Sequence, residues 1–281
     1  MVANLALLLL FLLVGPSATM ARPLCPETLG QCMVAGGFYR AEVPETWDGQ
    51  APLPAVVHFH GFREDAGDLI ARQDLQSWAN ARGILLVVPQ GAGQTWSHPG
   101  SPSQLRDDFA FTAALLADLH RRVPIDEKRL FASGFSQGAS MLWALACYRG
   151  DDFRLHLTIA GAFWRPEPTN CPAGQANIRH IHGLADQTVP LEGRPIRGGQ
   201  FHQGRVAHAL ALQRTAGACE IAEKDDTVVR RALTCWKARG CQRGAMLEFC
   251  LHPGTHDFDP SWLDEAFMDV SGMAGEALKK R

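Results

Sequence analysis

The chain has 281 residues, with 27 lysines and arginines against 29 aspartates and glutamates, a net charge of -2 with histidine neutral. Such a balance gives neither the basic surface that nucleic acid requires nor the acidic excess of a disordered tail, so no nucleic-acid partner is expected and a small neutral or mildly anionic molecule is the default. The composition is 46% hydrophobic, and no Pro/Gly/Ser-rich linker divides the chain, so one large α/β domain over residues 22–281 is expected.

Leu5 to Val14 is an unbroken apolar segment followed by Gly15 to Ala21, small residues apart from Met20. This reads as a signal peptide over residues 1–21, and the expected location is secreted or periplasmic. A segment of this length is too short to cross a membrane, which takes about twenty residues, and no later segment is long and apolar enough. All eight cysteines follow the leader. An even number behind an export signal points to disulfides. Proximity favours Cys25 with Cys32 and Cys241 with Cys250, leaving Cys219 with Cys235 and Cys147 with Cys171. No Cys-x-x-Cys occurs, and no metal or cofactor is expected.

Phe38 to Val43 alternates like an edge strand ended by Pro44. Ala55 to His60 reads as a buried strand leading into Gly61-Phe62, where a glycine-flexed loop can aim a backbone N–H at a developing negative charge. Ala66 to Arg82 has helical periodicity, and Ile84 to Val88 is another buried strand. The loop from Pro89 to Ser103 is long enough to line a pocket, and its Trp96 either touches substrate or plugs the loop. A helix begins at Asp107-Asp108, whose carboxylates suit a first helical turn without any catalytic role.

The most informative stretch comes next. Leu130 to Ser133 is a short buried strand, Gly134-Phe135-Ser136-Gln137-Gly138 fits G-x-S-x-G, and a helical pattern runs on toward Gly150. This is the strand, sharp turn and helix that expose a serine at a sheet edge, with glycines relieving the close approach of the two elements. Further strands are expected at Leu155 to Ala160, followed by Phe163-Trp164; at Ile178 to Gly183, delivering Asp186; and at Ala245 to Leu251, delivering His252 and His256. A helix is expected from Gly204 to Thr215 and another after Pro260. Strands alternating with helices imply a mainly parallel, doubly wound sheet covered on both faces.

A serine hydroxyl needs a base in contact, an acid to orient that base, and donors for the oxyanion. Ser136, Asp186 and His256 each fall just after a strand, in the chain order of the α/β-hydrolase arrangement. Ser136 is the expected nucleophile, His256 the base and Asp186 the orienting acid, with the backbone N–H groups of Phe62 and Gln137 as the oxyanion hole. His252 is the rival base, and Asp257 and Asp259 the rival acids. Trp96, Phe163 and Trp164 are candidate substrate-binding residues.

Together, Cys25-x6-Cys32 before a Gly-Gly strand, His60-Gly61, Ile125-Asp126 ahead of the serine turn, His182-Gly183 with Asp186 and Val189-Pro190, and the Cys250-Leu251-His252-Pro253-Gly254-x-His256-x-Phe258 ending resemble the secreted polyhydroxybutyrate depolymerase and feruloyl esterase family of α/β-hydrolases. The resemblance covers nearly all of the chain beyond the leader. It implies an α/β-hydrolase fold and a serine carboxylesterase with the same three residues, acting on hydroxyalkanoate oligomers or other small esters through an acyl-enzyme. The alternative is a feruloyl esterase acting on plant cell-wall esters or, from another class, a non-catalytic binding protein on this fold. Polymer-degrading members often have cysteine where Phe62 stands, and members often have glycine where Asp257 follows the base; both departures bear on the substrate.

Overall fold

The computed structural model describes residues 22–220, 227–230 and 232–279, with side chains as far as residue 272; the expected signal peptide, residues 1–21, lies outside the described residues. The chain opens with β1 (Arg22–Pro23), β2 (Cys32–Val34) and β3 (Gly37–Val43). Then come β4 (Leu53–Phe59), α1 (Ala66–Ile70), α2 (Gln73–Ala81), β5 (Leu85–Pro89), α3 (Asp108–Arg122), β6 (Ile125–Phe135), α4 (Gln137–Tyr148), β7 (His156–Ile159) and β8 (Ile178–Gly183). A short hairpin of β9 (Pro195–Ile196) and β10 (Phe201–His202) precedes α5 (Val206–Ala216), β11 (Thr227–Arg230), β12 (Leu233–Lys237), β13 (Leu247–His252) and α6 (Trp262–Lys279).

Strands β5-β4-β6-β7-β8-β13 pair in parallel, and β3 and β12 extend the two sides antiparallel. Successive side chains on a strand point to opposite faces. Val56, Leu86, Val88 and Phe131 therefore pack against α1, α2 and α6 on one face. Ala55, Val57, Leu85, Val87 and Ala132 pack against α3 and α4 on the other. Every residue of β4 and β5 is buried, as a strand covered on both sides must be. This is the expected doubly wound sheet, and the fold is that of the α/β-hydrolases.

One expected helix, residues 66 to 82, is two. Arg72 is extended, with φ -64° and ψ 114°, between α1 and α2. On a straight helix Leu75 would stand about 140° from Ile70, so one stripe could not carry both to the sheet, yet both are buried. The break turns the second face inward. It is bridged by the Gln76 side-chain N–H donating to the Ile70 carbonyl at 2.7 Å and by Arg72 paired to Asp74.

Two of the four expected cystine pairs change. Cys25–Cys32 and Cys147–Cys171 form as expected, but the others are Cys219–Cys241 and Cys235–Cys250. Cys235 and Cys250 stand directly opposite on antiparallel β12 and β13, with Cα atoms 4.0 Å apart. Strand register overrides closeness in sequence, and it leaves Cys241 to Cys219, which is brought near by the Glu220–Arg239 bridge. The eight cysteines are thus fully paired, an arrangement suited to an oxidising compartment.

An ionic cluster fixes the last helix to the sheet. Arg179 on β8, 1% exposed, pairs with its register neighbour Glu248 on β13 and reaches Asp269 on α6 at 2.9 Å. Among the described residues no helix is long and apolar enough to cross a membrane.

Candidate active site

The turn that carries Ser136 owes its shape to one close approach. Ser136 adopts φ 56° and ψ -117°, a strained conformation for a residue with a β-carbon, between β6 and α4. A β-carbon on Gly138 would lie 2.0 Å from the carbonyl oxygen of Phe59, at the end of β4. Glycine there lets α4 start against β4. Gln137, the first residue of α4, keeps one of the unpaired N–H donors of a helix start and lines the same cavity as Phe62.

The loop after β8 meets the loop after β13 in the same way. A β-carbon on Gly183 would stand 2.0 Å from the Thr255 carbonyl oxygen. Leu184 and Ala185 donate their N–H groups to the carbonyls of His252 and Gly254 at 2.9 and 3.1 Å. This backbone seam brings Asp186 to His256: Nδ1 of His256 lies 2.7 Å from Asp186 Oδ2, and its Nε2 lies 2.9 Å from Ser136 Oγ. A carboxylate only accepts, so Nδ1 carries the proton and Nε2 is free to accept the serine hydrogen. The other carboxylate oxygen, Oδ1, accepts the N–H groups of Thr188 and Val189, both at 2.8 Å. Burial pushes the Asp186 carboxyl up, but the His256 bond and the Val189 N–H outweigh it and hold it below the usual carboxylate range.

The rival residues are occupied elsewhere. His252 Nδ1 accepts the Gly254 N–H at 3.1 Å, and its ring packs on Trp262. Asp257 accepts from the N–H and hydroxyl of Thr255, and Asp259 from the Ser261 N–H, so both close local turns.

Ser136, Gln137 and Phe62 line one cavity of about 260 Å³ together with Trp164, Val189, Ile196, Phe201, Arg194 and Arg197. Of the three aromatic candidates, Trp164 is on this wall. Trp96 is fully buried and away from it, donating its indole N–H to the His60 carbonyl at 2.8 Å and packing on Phe59, so it plugs its own loop. Phe163 is likewise interior, against Trp143.

Several contributors were visible in the sequence only as residues, not by the bonds they make. His60 accepts the Gly91 N–H at Nε2, 2.9 Å, and so must donate from Nδ1 to the Gly61 carbonyl, 2.7 Å away. In a trans peptide the N–H opposes the C=O. His60 therefore turns the Phe62 N–H away from itself and fixes the peptide plane expected to serve the oxyanion. Beneath Asp186 runs a second directed chain. His182 Nε2 faces the Val189 carbonyl at 2.7 Å and so donates; His180 Nε2 then donates to His182 Nδ1 at 2.9 Å, and the Thr158 hydroxyl donates to His180 Nδ1 at 2.8 Å. Burial keeps both imidazoles neutral, with pKa values below the ordinary histidine value. His182 Nε2 also stands 3.5 Å from Asp186 Oδ2 and braces the acid from below. Histidines on alternate positions of one strand were visible; their joining was not. The pocket hairpin, β9 and β10, lies in a Gly- and Pro-rich stretch with no periodicity to mark it.

Among the described residues, one group has metal-ligating residue types close together: Cys235, Glu248 and Cys250. Both sulfurs are in a disulfide and Glu248 is paired with Arg179, so the donor set does not suit an ion.

No family model matches the chain. Over 173 residues it is 27% identical to feruloyl esterase C of Emericella nidulans, covering 59% of this chain and 61% of that protein. Over 232 residues it is 25% identical to a probable feruloyl esterase C of Aspergillus clavatus, covering 80% and 77%. The chain spans about three fifths of the length of the first curated relatives it matches. Among solved structures, the acetyl xylan esterase from Aspergillus awamori superposes with a TM-score of 0.58 at 12% identity, covering 83% of this chain and 94% of that one. It shares the fold.

Proposed function

From the kinship of this chain with the feruloyl esterase C, polyhydroxybutyrate depolymerase-like group of α/β-hydrolases, we propose that it is an exported serine esterase that cleaves carboxylic esters through an acyl-enzyme. The observation that carries this reading is the continuous chain from Asp186 through His256 to Ser136, at 2.7 and 2.9 Å, opening on a cavity. His256 Nε2 takes the hydroxyl proton as Ser136 Oγ attacks the ester carbonyl, and passes it to the departing alcohol. Asp186 holds the imidazole and stabilises its cation. The N–H groups of Phe62 and Gln137 receive the oxyanion, each worth about 3 to 4 kcal/mol of barrier. Water then enters, and the same imidazole activates it against the acyl-serine. No step draws on a metal or cofactor.

The relatives favour feruloyl esters over hydroxyalkanoate oligomers as the substrate, since the curated proteins quoted above are named as feruloyl esterases. Export is supported by the four disulfides and by the leader expected from the sequence. Turnover of p-nitrophenyl butyrate by the purified protein, lost in Ser136→Ala, together with covalent labelling of Ser136 by a fluorophosphonate, tests the reaction. Equal inertness of the two proteins and no labelling would favour the binding-protein alternative. Methyl ferulate against hydroxybutyrate oligomers then separates the two substrate classes.

A further inference from the structure

The cavity that holds Ser136 contains two positive charges that the proposed chemistry does not use. Arg194 and Arg197 are the ionisable residues of its wall; the rest of the lining is apolar or neutral. Neither pairs with a carboxylate among the described residues. Both Asp186 oxygens are engaged by His256, Thr188 and Val189, and Glu167 accepts the Arg205 N–H. Arg194 is held in place by its Nε, which donates to the Thr188 carbonyl at 2.9 Å. Thr188 is also the residue whose N–H binds Asp186. This guanidinium is therefore tied to the loop of the catalytic acid, with its two terminal nitrogens left for a ligand. Arg197 comes from the hairpin between β9 and β10 and lies over the Phe201 ring, 5.7 Å from its centroid. Both residues are solvent-exposed, and a neutral ester offers neither guanidinium a charge to pair with. A planar carboxylate is the group that a guanidinium fork holds by two bonds.

We infer that this wall is a carboxylate-reading subsite and that the preferred substrates are esters bearing a free carboxylate, their carbon chain lying on Trp164, Ile196 and Phe201. This rests on the esterase reading above and adds the substrate's charge to it. The carboxylate could sit on the acyl side, as in a half-ester of a dicarboxylic acid, or on the alcohol side, as in an ester of a hydroxy acid. The chemistry recognised is the same.

Two matched pairs test it. Mono-4-nitrophenyl adipate against its carboxamide places the charge on the acyl side, and 3-butyryloxybutyrate against its carboxamide places it on the alcohol side. At low ionic strength the carboxylate member of at least one pair should have a kcat/KM about tenfold higher, equivalent to about 1.4 kcal/mol. The ratio should fall severalfold in Arg194→Gln and in Arg197→Gln, be largely kept in Arg197→Lys, and shrink as salt rises to about 0.5 M. Binding of the same four compounds to Ser136→Ala by calorimetry reads the subsite without turnover. Wild-type inertness with carboxylate-selective binding would refute the esterase reading alone. Equal kcat/KM and equal binding for carboxylate and carboxamide in both pairs would overturn the subsite, as would a preference that survives both glutamine variants.

Discussion

Replacing Asp186 with asparagine separates orientation of the proposed base, His256, from its charge. The Oδ1 position accepts two N–H groups, from Thr188 and Val189, at 2.8 Å each. Only the amide oxygen of asparagine can sit there, so its NH2 must occupy the Oδ2 position, 2.7 Å from His256 Nδ1. Two donors cannot share that contact. The imidazole must shift its proton to Nε2, where it points at Ser136 Oγ and no longer accepts the hydroxyl hydrogen. The loss expected for the wrong tautomer is about 10⁴ in kcat, or about 5.4 kcal/mol of barrier. KM and the unfolding midpoint should change little, because both buried N–H groups keep an acceptor. Asp186→Ala, in contrast, orphans them and should also lower stability, by about 1 to 3 kcal/mol for each group. The assay is single-turnover acylation with p-nitrophenyl butyrate, with urea denaturation of each variant. A folded asparagine variant that keeps kcat within tenfold of the wild type would refute the tautomer argument.

Other substitutions probe the frame. Gly138→Ala drives a β-carbon against the Phe59 carbonyl and should cost about 1 to 3 kcal/mol of stability and about 10²-fold in kcat through displacement of the oxyanion donors. Gly272→Ala, which meets nothing within 4 Å, is the control: it should leave kcat unchanged and, lying inside α6, raise stability by up to about 1 kcal/mol. Arg179→Ala leaves Glu248, 1% exposed, with Arg230 at 3.7 Å, and should cost about 3 to 5 kcal/mol in urea unfolding, whereas Arg179→Met combined with Glu248→Leu should cost less, what remains being the loss of Asp269's partner. Burial raises the Glu42 carboxyl from 4.5 to about 7, against the pull of Arg40. The folded protein then holds a proton that the unfolded chain releases, so this group's contribution to stability falls as pH rises from about 4.5 to about 7. Glu42→Gln should flatten that decline in unfolding free energy; an unchanged slope would show that Glu42 is not its source.

The strands and the serine turn were legible because their signals are local. Ala55 to Phe59, interrupted by His58, and Ile84 to Val88 are mostly apolar runs of a length that fits a strand covered on both sides, and the serine turn shows as a G-x-S-x-G spacing within five residues, although the contact that requires Gly138 is with Phe59 on β4. Asp186 and His256 were nameable because each falls in a loop just after an expected strand. Their meeting was decided by tertiary structure, through the seam in which Gly183 lies against Thr255 and the backbone of 184–185 bonds to that of 252–254. The disulfides follow the same division: Cys25–Cys32 closes a short loop that proximity finds, while Cys235–Cys250 depends on the register of β12 against β13. Proton directions in the His180–His182 chain and the convergence of Arg194 and Arg197 on the serine's cavity belong to this second kind. By itself the sequence determined which segments bury and that Ser136 stands between two glycines, since both are read from residues a few positions apart. Only the folded chain decided which loops touch, because that depends on the order of strands in the sheet, which no short stretch of residues encodes.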